Sequence, residues 1–154
     1  MADNPVKWSA LDSVVTGCPS GSGLINLAAG NHALGAERNN SAGTQYAYFD
    51  LYVRGADTFH AADYLSVWFL KAVDGTNYED GAAGTPGTTP GRGADLIFYV
   101  RAVNTQQRIT LGPVLLPGCK FKCLVMNNTS HTLTNTADEN VLVFYGINDN
   151  TVSA

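Results

Sequence analysis

The sequence predicts an all-β protein, an antiparallel β-sandwich behind an irregular N-terminal arm. Three observations predict it. Apolar and polar residues alternate with period two in several stretches of strand length. Gly, Pro, Asn and Asp punctuate those stretches. No segment of helix length keeps an i, i+3, i+4, i+7 apolar pattern, and β-branched and aromatic residues crowd the apolar runs.

Residues 1–23 read as the arm, with Trp8, Leu11, Val14 and Val15 as isolated apolar anchors. Cys18-Pro19 and the Gly-Ser-Gly at 21–23 break any regular element. The rest, 24–154, reads as one sandwich domain. Leu24–Ala28 offers a short strand. The stretch 31–45 reads as loop, with a possible helical turn over Ala33–Glu37. From Tyr46 the signal sharpens: Phe49, Leu51 and Val53 alternate with Asp50, Tyr52 and Arg54, which places Tyr48 and Tyr52 on the outward face. In Tyr64–Val73, Leu65, Val67 and Phe69 share one face, and Ser66, Trp68 and Leu70 the other. Both faces are largely apolar, so this strand is expected to be central or covered by a partner. Asp95–Val103 reads the same way. Three further strands follow in "QRITLGPVLL", "CKFKCLVMNN" and "NVLVFYGIN", separated by turn signals at Gly112-Pro113, Pro117-Gly118, Asn127-Asn128 and 138–140. Seven or eight short strands with regular punctuation imply a jelly-roll-like sandwich.

Composition bounds the function. The chain has 154 residues, enough to bury a core without disulfides. Only 14% of residues are charged, so small polar residues must cover most of the surface. The formal net charge is -4, and no run of Lys or Arg occurs, which removes the electrostatic basis for nucleic-acid or membrane-surface binding. No apolar stretch is long enough to span a bilayer. Residues 1–13 carry no apolar signal-peptide core. Of the three cysteines, Cys119 and Cys123 fall in one expected strand, where their Cα atoms would stand about 13 Å apart. A disulfide needs about 7 Å or less, so buried free thiols are expected.

The long loop at 74–94 is the one segment that invites a chemical reading. Asp74, Asn77, Glu79 and Asp80 suggest a cation site, but an EF-hand numbered from Asp74 puts Tyr78 at position 5 and Glu79 where Gly belongs. The Gly-rich part lacks the phosphate-loop Lys and precedes a strand. The alternative is a turn in which Asp and Asn stabilise local backbone. His32, His60 and His131 fit no metal-ligand spacing, and no nucleophile elbow occurs. Asn39 and Asn127 match the glycan-acceptor pattern without a leader to support it. The tyrosines, Tyr48 and Tyr52 above all, could form a sugar-stacking platform or simply pair across the sheets. No catalytic, metal-binding or cofactor-binding residue emerges, and no enzyme activity is expected.

The strand ending in "FLKAVDGTNYEDG", the Gly/Pro/Thr loop, "DLIFYVRAVNTQQRITLGPVLLPGCKFKCLVMNNTSHTLT" and the closing "VLVFYGIND" resemble jelly-roll cement or decoration proteins of tailed bacteriophages, over roughly 46–148. The resemblance implies a non-enzymatic, capsid-stabilising structural protein. It would be a homotrimer, assembled in the host cytoplasm and seated on the outer capsid surface, with the major capsid protein as partner and no cofactor. The candidate partner-binding residues are then Trp8, Leu11, Val14 and Val15 in the arm, with Tyr48 and Tyr52 on the sheet. The runner-up is a receptor- or glycan-binding sandwich, such as a tail-fibre tip or carbohydrate-binding module.

Overall fold

In the computed structural model the described residues are 15–18, 24–40, 45–79, 89–136 and 139–147. Among them lie nine strands: β1 (Val15–Cys18), β2 (His32–Leu34), β3 (Arg38–Asn39), β4 (Tyr46–Val53), β5 (Tyr64–Ala72), β6 (Leu96–Tyr99), β7 (Gln107–Leu115), β8 (Lys120–Asn128) and β9 (Val141–Ile147). One sheet runs β1-β9-β4-β7 and the other β2-β8-β5-β6, with β3 also on β8. All pairings are antiparallel. β2 and β3 occupy the same edge of β8 in turn, so they act as one interrupted strand. The pairings are then nested: β1 with β9, β2/β3 with β8, β4 with β7, β5 with β6. That is the winding of a jelly roll, a long hairpin rolled into two sheets. The tip of the hairpin is the 73–95 connection.

The alternation read from sequence sets the core. Ala47, Phe49, Leu51 and Val53 of β4 face inward and are fully buried, as are Leu65, Val67 and Phe69 of β5 and Phe121, Cys123 and Val125 of β8. Phe49 contacts Phe69 and Phe144 with ring centroids 5.4 Å apart, and Phe69 meets Phe121 at 5.7 Å, which ties both sheets together. Cys123 is a buried free thiol and Cys119 a half-buried one.

Several expectations are corrected. The arm is not irregular throughout: 15–18 forms β1, whose Val15 pairs with Phe144 and covers the edge of β9. Leu24–Ala28 is a turn-rich plug, not a strand. Its Leu24 and Leu27 are buried, and left-handed Asn26 (φ 54°) and Gly30 (φ 77°) break extension. The supposed loop at 31–45 contributes β2 and β3, because pairing with β8 decides the matter where local propensity does not. The strand expected over 95–103 is only Leu96–Tyr99. Gly112-Pro113 lies inside β7, where the register against β4 slips between Ala47 and Phe49 and one extra residue bulges out. Gly112 sits at φ 142° there, and Pro113 is tolerated because β7 is an edge. Asn127 and Asn128 are the last two residues of β8, paired with Leu65 and Tyr64, and not a turn.

Candidate functional site

Trp8, Leu11 and Val14 lie outside the described residues. Tyr48 and Tyr52 do lie on the outer face of the β4 sheet, half-buried, with Asp50 between them. Asp50 is the surprise of this face, since it is only 1% exposed. Its Oδ2 accepts from Arg108 Nε (3.0 Å) and Nη2 (2.5 Å) on β7, and its Oδ1 accepts from the Thr110 hydroxyl. The hydrogen bonds it donates to Asp50, then the charge of that carboxylate, hold the Arg108 guanidinium even more firmly protonated than usual. The same guanidinium lies 5.5 Å from the centre of the Tyr52 ring. Tyr48 is packed at its base against Gly112, where an added Cβ would stand 2.8 Å from the ring. One face of Tyr52 and the root of Tyr48 are therefore engaged within the sheet.

The other sheet resolves the two-faced strand. Trp68, Leu70 and Leu124 on its outer face form a second small core with Leu34, Tyr78, Ala94 and Met126. The two ends of the 73–95 connection supply the cover. Arg92 pins it: Nη2 donates to Phe69 O (2.9 Å), Nε to Glu79 (3.1 Å) and Nη1 to Asp95 (2.8 Å), while the Trp68 indole N–H donates to Arg92 O (3.1 Å). Thr89 accepts or donates at His32 Nε2 (3.1 Å). Burial lowers the pKa of His32. Tyr78 donates to Glu37, and burial first, then that bond, pushes its hydroxyl up to about 12.

Asp80 lies outside the described residues, and the two described acids of this loop are spent locally. Asp74 Oδ1 accepts from the Thr76 and Asn77 amides (2.9 and 2.7 Å), and Oδ2 accepts from Asn77 Nδ2 (2.6 Å). Its carboxyl is held below the usual range by the Asn77 amide first and the Thr76 amide next. This is the turn reading of the sequence, with Glu79 committed to Arg92. Among the described residues, no group of three or more His, Cys, Asp or Glu side chains is placed to hold a metal.

Beyond the cover, the outer face of β5 and β6 opens. Tyr64 and Tyr99 are cross-strand partners with rings 5.7 Å apart, and Ile97 follows on the same face. Tyr99 is 64% exposed and Ile97 40%. On the opposite sheet Leu115, 66% exposed, faces Tyr46 across β4 and β7. Sequence reasoning ranked Tyr48 and Tyr52 above these residues. The signal missed was position: β6 is an edge strand, which follows only from the topology.

The loops at the opposite end, after β4, β6 and β8, are knitted by bonds between segments distant in sequence. Arg54 Nη1 donates to Glu139 (2.6 Å) and Nε to Asn104 O (2.9 Å), and Leu133 pairs with Gly55. Asn127 is wholly buried: Nδ2 donates to Leu27 O (2.8 Å) and His131 O (2.9 Å), while Oδ1 accepts from Thr129 N (3.0 Å) and Oγ1 (2.7 Å). A glycan cannot reach it. Asp63 Oδ2 accepts from the His60 amide (2.8 Å), the Ser130 amide (3.2 Å) and the Ser130 hydroxyl (2.7 Å). This framework brings together two of the scattered histidines, His60 and His131, with ring centroids 5.1 Å apart.

Neither a scan against protein-family models nor a search among characterised proteins finds a match to this chain.

Proposed function

We propose that the chain is a non-enzymatic structural protein of a bacteriophage virion, a cement protein that works by contact with the outer capsid surface and with copies of itself. One observation carries the reading. Large apolar side chains stand exposed at the rims of both sheets, Tyr99 and Ile97 on one, beside half-buried Tyr64, and Leu115 with Tyr46 on the other, on a surface otherwise poor in charge. Exposed apolar clusters on a small domain are typical of interaction sites. The likeness in strand order and phrases to decoration proteins points the same way. Multivalent attachment through three copies would turn modest single contacts into stable clamping of neighbouring capsomers.

The test is analytical ultracentrifugation followed by co-sedimentation with capsids of the phage that encodes the chain. The expected result is a trimer that pellets with capsids, with binding weakened in Tyr99→Ser or Leu115→Ser. Deletion of 1–14, stopping short of β1, should leave the fold intact and weaken attachment if the arm clamps. A monomer that stays in the supernatant overturns the proposal. The glycan-binding reading is favoured by exposed Tyr99 with its half-buried partner Tyr64 more than by Tyr48 and Tyr52. A saturable glycan-array signal abolished by Tyr99→Ser would select it instead.

A further inference from the structure

His60 follows β4 and His131 follows β8, 71 positions apart in a sequence whose spacing gave no hint of a pair. The fold sets them edge to face, with centroids 5.1 Å apart and planes at 75°. Two imidazoles bound through nitrogen to one tetrahedral ion, each about 2.0–2.1 Å from it, place their centroids roughly 5 Å apart. The observed separation, within the range of direct ring contact, is also the one a shared ion needs. Among the described residues, His131 Nε2 is buried without a hydrogen-bond partner, on a ring in contact with a second imidazole. Buried polar atoms are nearly always paired, and a ring nitrogen with no protein partner is a candidate metal ligand.

The surroundings hold this pair in place. Asp63, 9% exposed, grips both histidine-bearing turns through one oxygen, bonding the His60 amide and both the amide and hydroxyl of Ser130. The backbone of His131 is fixed twice more, its carbonyl accepting from Asn127 Nδ2 (2.9 Å) and its amide donating to Thr129 Oγ1 (3.3 Å). A pair of ligands preset by a buried carboxylate and a buried amide loses little freedom on binding.

From this geometry we infer that His60 and His131 form the protein half of a binding site for a divalent first-row transition ion, zinc being the reference case. The other coordination positions remain open to water or to a ligand from outside the chain. Imidazole nitrogen selects such ions over calcium or magnesium. With two protein ligands, binding is exchangeable and the ion keeps room for a side chain from a docked partner.

The experiment is isothermal titration of the full chain with zinc chloride, repeated with His60→Ala, His131→Ala and magnesium chloride. One saturable zinc site is expected, no magnesium binding, and at least a tenfold loss of zinc affinity in each variant. His60 is exposed, so His60→Ala keeps the fold and carries the test even where His131→Ala is destabilised. Zinc binding unchanged in His60→Ala would assign the ion to other groups, the cysteines included, and overturn the inference. So would the absence of saturable binding by the unaltered chain.

Discussion

The adjacent asparagines Asn127 and Asn128 make opposite predictions from identical chemistry. Asn127 points inward and is 0% exposed, with four hydrogen bonds in its amide. Asn128 is half-buried on the outer face, where its amide donates to Ser66 Oγ (3.0 Å) and weakly to Met126 O (3.4 Å). In Asn127→Ala the Thr129 amide loses its acceptor. Leu27 O keeps a second donor, the Leu133 amide (3.1 Å), and the single Thr129 hydroxyl proton, freed from Asn127 Oδ1, turns to His131 O. Four neutral bonds at about 1 kcal/mol each, reduced by the two carbonyls that stay partnered, give a cost of about 3 kcal/mol. That is a large fraction of a total stability of about 5–15 kcal/mol. For a chain of this length it lowers the melting temperature by roughly 6–12 °C.

Urea unfolding followed by circular dichroism measures the difference directly, with Asn128→Ala as the control expected to cost less than about 1 kcal/mol. Asn127→Asp sharpens the comparison. It keeps the acceptor for Thr129 but turns a carboxylate oxygen toward Leu27 O and His131 O, so it should be at least as damaging at neutral pH as alanine. Equal costs for the two alanine variants would refute the idea that the buried amide stitches the 24–31 and 129–133 segments together.

Two further outcomes test other parts of the framework. Arg92→Ala should loosen the cover over Trp68 at a cost of about 1 kcal/mol, because its ion pairs are partly solvated. In a Trp8→Phe background, acrylamide quenching of Trp68 should rise from near zero; unchanged quenching would show that apolar packing alone seats the loop ends. Burial by itself would raise the carboxyl of Asp63, but the Ser130 hydroxyl and the His60 and Ser130 amides together hold it below its usual value. A depressed folded-state value means stability that is present above the unfolded carboxylate value of about 3.9 and is lost as pH falls through the folded one. Thermal melts between pH 7 and pH 3 should therefore show a shallower acid decline in Asp63→Asn than in the unaltered chain, and identical declines would remove Asp63 from the account.

The period-two pattern of β4 and β5 was enough to name their inward faces, because a strand with one buried face has only one workable register. Short elements were not legible in this way. Three residues of β2 and two of β3 carry no periodicity of their own, and their strand character comes from β8 alongside. Likewise 15–18 reads as Val-Thr-Gly-Cys in a weakly patterned segment until the free edge of β9 is known. The histidine pair was beyond reach for a different reason. His60 and His131 meet because nested pairing brings the connections after β4 and β8 to one end of the roll, and contact across 71 positions leaves no local trace.

The apolar outer face of β5 shows how one observation leaves more than one cause open, a central place in the sheet or cover from a partner. Trp68 and Leu70 on one side and Val67 and Phe69 on the other do mark a strand covered twice. In a rolled hairpin, however, the connection between the two innermost strands, β5 and β6, is the tip, and a tip of this length can fold back over the sheet it leaves. Here Tyr78, Ala94 and the Arg92 web do so, and Trp68 is left 5% exposed without any second subunit. Beside it on β6, Ile97 and Tyr99 are exposed, and they are the surface that the proposed partner contact would use. Contact surfaces are better sought where internal cover stops than where a strand is apolar on both faces, and Tyr99 is the residue on which that distinction can be measured.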